Sequence, residues 1–239
     1  MYDYDAQYRR LKEAGFPGWA GHAYDRGVAR LAASLARLDR SGILPGPPAR
    51  TLELGCGTGT ASALLAPRGY AVHGIDISAT AIAWARERFT ASALAGSFRQ
   101  GSVCAMPCFG NSSFDLVFDG NCLHCLIGDD RPRALAEVKR ILRPQGLFIV
   151  SSMCGLPRSD EAKARFDPHN GRLLEGGEPY RTLKPVEQLA QELNQAGFEI
   201  EDTRTQVNPW WDHVTMACRH LAGANTVNPV ASACQSMIV

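Results

Sequence analysis

The run Thr51-Leu52-Glu53-Leu54-Gly55-Cys56-Gly57-Thr58-Gly59 decides the fold. Its first four residues read as a short buried strand, and the three alternating glycines read as a sharp turn leaving that strand. Glycine tolerates positive φ and lets the backbone approach a ligand closely. A strand running into such a turn is where open α/β sheets hold a bound molecule.

Working outward, the pattern alternates. A small helix over 60–67 ends at Gly69, and a second strand covers 71–75. Ser78 is placed to cap a helix running to about Leu94. Strands follow over 98–100 and at Phe114-Asp115-Leu116-Val117-Phe118. Asp129 or Asp130 starts a further helix, with Pro132 tolerated in its first turn. Leu135, Val138, Ile141 and Leu142 give that helix its apolar face. Arg143-Pro144-Gln145-Gly146 reads as a turn before an unbroken apolar strand over 147–151, as expected for a strand covered on both faces.

Before the glycine turn lie a short helix over 2–15 and a firmer one over 22–40. Val28, Leu31, Leu35 and Leu38 make one apolar stripe on the second. Pro45-Gly46-Pro47-Pro48 is a stiff linker. At the other end, residues 155–183 have weak periodicity, and a stretch that long without clear structure predicts a lid. A helix over 185–196 precedes two strands, 198–207 and 213–219, joined by Asn208-Pro209-Trp210-Trp211-Asp212. That connection is too short for a parallel crossover, so the pair is expected to be antiparallel. The expected organisation is an N-terminal helical cap over 1–48, a ligand-binding domain over 49–221 with 155–183 as a lid-like insertion, and a loosely held tail over 222–239. The fold class is a doubly wound, Rossmann-like α/β sheet.

Composition narrows the function. Lys and Arg number 25 against 24 Asp and Glu, a net of +1, which gives no basic stripe for nucleic acid. The start, Met1-Tyr2-Asp3-Tyr4-Asp5, is acidic and aromatic, unlike a secretory signal, and no apolar run approaches a membrane span. A cytoplasmic protein is expected, with its 8 cysteines as thiols. Oligomeric state is not readable.

Three features choose the ligand. The spacing is G-x-G-x-G, and Thr60 stands where the dinucleotide fingerprint has its third glycine. Glu53 lies two residues before Gly55, where it would repel a pyrophosphate. S-adenosylmethionine (SAM) carries a sulfonium and an ammonium, which nearby negative charge favours. Asp76 ends the second strand, 21 positions after Gly55, where a carboxylate accepts from both hydroxyls of a ribose. A nicotinamide oxidoreductase is the reading these features oppose.

On these residues the chain resembles the class I SAM-dependent methyltransferases. The matching segments are Leu52-Glu53-Leu54-Gly55-Cys56-Gly57-Thr58-Gly59, Gly74-Ile75-Asp76-Ile77-Ser78, Ser113-Phe114-Asp115-Leu116-Val117 and Ile141-Leu142-Arg143-Pro144-Gln145-Gly146. The resemblance implies a seven-stranded sheet with its last strand antiparallel, and S-adenosylhomocysteine (SAH) as product. It implies that Glu53, Gly55, Cys56, Gly57 and Gly59 surround the methionine part, that Asp76 holds the ribose, and that Ile77 packs on the adenine. Asp119, ending the fourth strand, joins this cofactor set. The family often has an Asp after its third strand. Here Gly101-Ser102-Val103 puts Ser102 at that place, with the Val103 backbone sharing the adenine contact.

For the acceptor, the segment after the fourth strand, Asp119-Gly120-Asn121-Cys122-Leu123-His124-Cys125-Leu126, supplies the floor. Displacement from a sulfonium needs positioning and water exclusion, and a base only when the acceptor arrives protonated. His124 is the candidate base, with a structural histidine as the competing reading. Trp19, Tyr24, Asn121, Trp210 and Trp211 are the candidate acceptor contacts. Arg158, Asp167, His169, Tyr180 and Arg181 in the lid are unranked candidates to orient an acceptor carboxylate or phosphate. The reading is a methyltransferase acting on a nitrogen or oxygen of a small molecule, with no resident metal. Cys104, Cys108, Cys122, Cys125 and Cys154 leave a thiol or metalloid methylase as the alternative, and a non-catalytic SAM-binding module as another.

Overall fold

A computed structural model describes residues 2–221; the predicted tail over 222–239 lies outside the described residues. Two N-terminal helices, α1 (Tyr4–Glu13) and α2 (Tyr24–Arg40), precede β1 (Arg50–Leu54). Then come α3 (Thr60–Leu65), β2 (Ala71–Asp76), α4 (Ala79–Ala91), β3 (Ser97–Gln100) and β4 (Phe114–Asp119). The chain continues through α5 (Asp130–Ile141), β5 (Leu142–Cys154) and α6 (Asp160–Ala164). Three short strands follow, β6 (Phe166–Asp167), β7 (Arg172–Glu175) and β8 (Glu178–Thr182). Last are α7 (Val186–Gln195), β9 (Phe198–Gln206) and β10 (Asp212–His220).

Seven strands form one sheet in the order β3-β2-β1-β4-β5-β10-β9. β10 runs antiparallel to both its neighbours, as the resemblance implied, and the other pairs are parallel. Alternation along the strands sorts side chains onto two faces. Phe148 and Val150 join Leu135 and Val138 of α5 and Leu189 and Leu193 of α7 on one face. Leu147 and Ile149 join Leu35 and Leu38 of α2 and Ile82 and Phe89 of α4 on the other. Each such large side chain, fully buried, contributes about 1.5–3 kcal/mol. A fork from Arg131 to Glu192, at 2.9 and 2.7 Å, ties α5 to α7 inside the first layer.

Two segments differ from the sequence reading. β5 starts at Leu142, ahead of the expected 147. Between Phe114 and Leu116 of β4 the partner on β5 advances from Leu142 to Leu147, and Gln145 in that excursion has φ +63°. The expected turn is therefore an irregularity inside a longer strand. The expected structureless lid is in fact α6 plus an antiparallel β6-β7-β8 sheet. Its strands are short and polar, and Leu173, with Leu183 just after β8, packs on Met153 while Thr182 Oγ1 donates to Leu126 O at 3.0 Å. So little apolar alternation gives no strand signal in the sequence.

β1 and β4 are the switch point of the sheet, because the chain turns one way after β1 and the other way at β4. Leu54 pairs with Asp119, so Gly55 and Gly120 leave the sheet side by side at the strands' carboxyl ends. That is the crevice where open α/β sheets bind ligands.

Candidate active site

The glycine turn is shaped by what surrounds it. Gly55 has φ +54°, and an added Cβ would lie 2.7 Å from Cys122 Cβ. Gly57 has φ +51°, and its Cβ would lie 2.5 Å from Tyr8 Oη. Gly120 donates its N–H to Leu54 O at 3.0 Å. No side chain fits at these places without displacing a neighbour, so bare backbone faces the space beyond.

Two acids flank the turn. Asp76 is only 5 % exposed, yet lines the cavity. Its Oδ2 accepts from Gly57 N–H and its Oδ1 from Ser78 N–H, both at 2.9 Å. Burial raises its pKa above the ordinary carboxylate value, against those backbone donors. Glu53 accepts from Ala61 N–H at 3.1 Å, Ser62 N–H at 2.8 Å and Ser62 Oγ at 2.7 Å. It therefore caps the first turn of α3 while lending its charge to the cavity wall.

The cavity holds about 1200 Å³. Small-molecule pockets commonly run to about 300–1000 Å³, so there is room for a cofactor and a second molecule together. Gly55, Cys56, Gly57, Asp76, Ile77, Ser102 and Val103 all line it. Ile77 is 55 % exposed, an apolar surface with nothing packed on it. Ser102 Oγ accepts from Cys104 N–H at 3.2 Å, which fixes the loop after β3. This glycine cradle, the acid at the end of β2 and the open apolar Ile77 fit an adenosyl cofactor with a charged methionine end.

Some expected contacts fall elsewhere. Gly59 takes the left-handed position that starts α3 and is not on the cavity wall. Asp119 is fully buried and absent from that wall. Its Oδ1 accepts from Cys122 N–H at 2.7 Å and Leu123 N–H at 2.9 Å, so it shapes the turn after β4. Trp210 is 52 % exposed and is not on the cavity wall, while Trp211 lines it and packs on the Met153 cluster. Tyr24 belongs to the glycine-turn end, its Oη 3.2 Å from Thr60 Oγ1. Trp19 stands near Tyr2, Tyr4 and Tyr8.

His124 lines the cavity but is deeply buried, and burial pushes its pKa well below the usual imidazole value. Its Nδ1 accepts the Met153 N–H at 3.3 Å, which leaves the proton on Nε2. In that tautomer neither nitrogen is a free base, which favours the structural reading. Asn121 Oδ1 takes a hydrogen bond from His213 Nε2 at 2.6 Å, and burial lowers His213 to about 4. The sequence reading passed over His213, since nothing in its spacing marks it.

It also predicted the helix α1 without giving Asp5 or Tyr8 a part in the site. Asp5 Oδ1 accepts from Ser78 Oγ at 2.6 Å and Thr80 N–H at 2.9 Å, which fastens α1 across the start of α4. Tyr8 then lies over Gly57. The only sequence signal was the unusual acidic and aromatic N-terminus. Burial raises the pKa of the Cys104, Cys122 and Cys125 thiols. Among the described residues no group of three His, Cys, Asp or Glu is arranged to hold a metal ion.

Residues 52–150 match the family described as methyltransferase domain. The chain is 30 % identical over 152 residues to a probable SAM-dependent methyltransferase of Mycolicibacterium smegmatis, covering 64 % of this chain and 52 % of that one. It thus spans about half the length of that relative. It is 29 % identical over 188 residues to a ubiquinone biosynthesis O-methyltransferase of Xanthomonas oryzae pv. oryzae, covering 77 % and 74 %. A solved SAM-dependent methyltransferase of Methanosarcina mazei superposes with a TM-score of 0.65 at 22 % identity, over 76 % of this chain and 96 % of that one. A structure described under the conversion of a disulfide bond into a thioacetal group during echinomycin biosynthesis gives 0.61 at 25 % identity, over 79 % and 81 %. Together these comparisons support the class I SAM-dependent methyltransferase family for this chain, and SAM is that family's methyl donor.

Proposed function

We propose that this chain transfers a methyl group from SAM to an oxygen or nitrogen of a small molecule, in the cytoplasm, with no nucleic acid or resident metal. The observation that carries the reading is the size and lining of the cavity. Its lining joins Asp76 and Gly57 to the aromatic residues Tyr2, Tyr4, Trp19 and Tyr180, with room for donor and acceptor together. Residues 49–221 form the binding domain in this reading, with α1 and α2 as its cap and residues 155–183 as the lid. The similarity to O-methyltransferases favours oxygen as the receiver.

When bound, SAM supplies an activated methyl group, so the protein's part is placement and water exclusion. Asp76 holds the ribose, and Glu53 and the Gly55–Gly57 backbone receive the methionine end. Asn121, fixed by His213, and the buried His124 shape the floor between the two molecules. Tyr8 and Trp19 close the roof.

The test is calorimetric titration with SAM and SAH, followed by turnover of labelled SAM with phenols, amines, carboxylates and thiols. Asp76→Ala is expected to weaken SAH binding more than tenfold. Absence of SAM and SAH binding by the parent chain removes the proposal. Unchanged affinity in Asp76→Ala removes the ribose assignment.

A further inference from the structure

One side of the cavity holds a buried cation without a carboxylate partner among the described residues. Arg181, at the end of β8, is 7 % exposed and lines the cavity. Its guanidinium carbon sits 5.8 Å from the Tyr2 ring centre, 5.5 Å from Tyr4, 5.9 Å from Trp19 and 4.9 Å from Tyr180. Its leading electrostatic neighbours are the thiol of Cys125 and the phenols of Tyr4, Tyr180 and Tyr2, none of them a carboxylate. Among the described residues no carboxylate pairs with it. The other large buried guanidinium, Arg131, has Glu192 at 2.7 Å.

The donor count sharpens the contrast. Nη1 spends its two N–H groups on Tyr4 Oη at 2.9 Å and Tyr180 O at 2.8 Å. Nε and Nη2 have no hydrogen-bond partner among the described residues, and neither is a sealed, unpaired atom. The Nε–Nη2 edge is one of the forks on which a guanidinium takes two anionic oxygens at once. Aromatic faces attract a cation but leave its charge unneutralised. A buried charge in that state calls for an anion. Arg30 also lines the cavity, but it is exposed to water and needs none.

We infer that Arg181 binds an anionic group, carboxylate or phosphate, of the methyl acceptor, which makes this an enzyme for small acidic acceptors. The inference rests on the methyl-transfer reading and deepens it. The cavity is then polarised along its length. The acids Glu53 and Asp76 face the cationic methionine end of the donor, and Arg181 faces the acidic end of the acceptor. The acceptor's charge sets its orientation, and the surrounding rings cover a planar body.

The test uses the full chain saturated with SAH. It is titrated calorimetrically with 4-hydroxybenzoate and phenyl phosphate, each against a neutral counterpart, 4-hydroxybenzamide and phenol. At least one acid is expected to bind about tenfold or more tighter than its counterpart, the ratio a charge-assisted fork supplies. Which acid does so separates carboxylate from phosphate. Arg181→Met is expected to bring that ratio to about one with SAH affinity unchanged. Arg181→Lys, which keeps the charge and loses the fork, is expected to cut it several-fold. The inference is overturned if neither acid binds better than its counterpart, or if the preference survives undiminished in either folded variant. Loss of SAH binding by the parent chain would instead sink the methyl-transfer reading, so the two failures are distinct.

Discussion

Replacing Gly57 by Ala separates the two things that the glycine turn provides. The first is conformational. Gly57 sits at φ +51°, and an L-residue there costs about 1–2 kcal/mol. The second is space. The new Cβ would fall 2.5 Å from Tyr8 Oη, so Tyr8 and the helix carrying it must move. Relieving an overlap of that size costs about 1–3 kcal/mol more. The sum, about 2–5 kcal/mol, corresponds to a fall in Tm of roughly 4–20 °C for a chain of this size. Tyr8→Phe removes the oxygen that the methyl strikes. Tyr8 Oη makes no hydrogen bond among the described residues, so Tyr8→Phe alone is expected to be near neutral. The double variant is expected to recover the steric part and to keep the φ part, a coupling of about 0.5–3 kcal/mol. Urea unfolding of the four proteins measures the cycle, and SAH calorimetry shows whether affinity follows. Equal losses in Gly57→Ala with and without Tyr8→Phe would refute the claim that Tyr8 packs against bare backbone at this turn.

Other consequences follow from the buried charges. Burial raises Asp119 to about 7, so ionising it opposes folding. That penalty is absent below the unfolded pKa and grows as pH rises towards 7. Asp119→Asn keeps one acceptor for Cys122 and Leu123 N–H, and is expected to gain up to roughly 2 kcal/mol on the parent between pH 5 and pH 8; a difference that does not change with pH contradicts this. Glu192→Ala strands Arg131, which is buried and also donates to Leu123 O at 2.6 Å. It is expected to cost about 3–5 kcal/mol in urea unfolding, and a loss under 1 kcal/mol would show the pair to be dispensable. His124→Gln can still accept the Met153 N–H, so turnover is expected to keep its pH profile within a fewfold in rate. Disappearance of a titrating limb would restore His124 as a base.

The sheet was legible because each parallel strand carried an apolar centre and a turn residue at its end. Ser78 was legible as a helix cap, and it accepts from Ala81 N–H at 3.0 Å as expected. The region from Arg143 to Gly146 misled because a Pro and a Gly signal a turn equally well when the chain bulges inside a strand. Asp119 misled for a related reason. A strand-end acid reads alike whether it faces ligand or its own backbone, and only the N–H groups of Cys122 and Leu123, three and four residues on, decide the case. Asp5 and Tyr8 were not legible, because their partners lie 73 residues away for Ser78 and in the glycine turn for Tyr8. Arg181 was named among five lid residues. Its rank came from the four rings around it, three of them more than 150 positions distant in sequence.

The way the cavity wall is drawn from the chain bears on how such an enzyme can diverge. The stretch that matches the family, residues 52–150, supplies the glycine turn, Asp76 and the floor after β4. The aromatic roof and Arg181 come from residues 2–31 and 178–181, outside that stretch. In the proposed reading, most of the donor surface is thus written in the central passage of the gene, and the roof and cation over the acceptor in its flanks. On that reading, a lineage can change the acceptor by drift in the two flanks, while the passage that secures the methyl source stays under its own constraint.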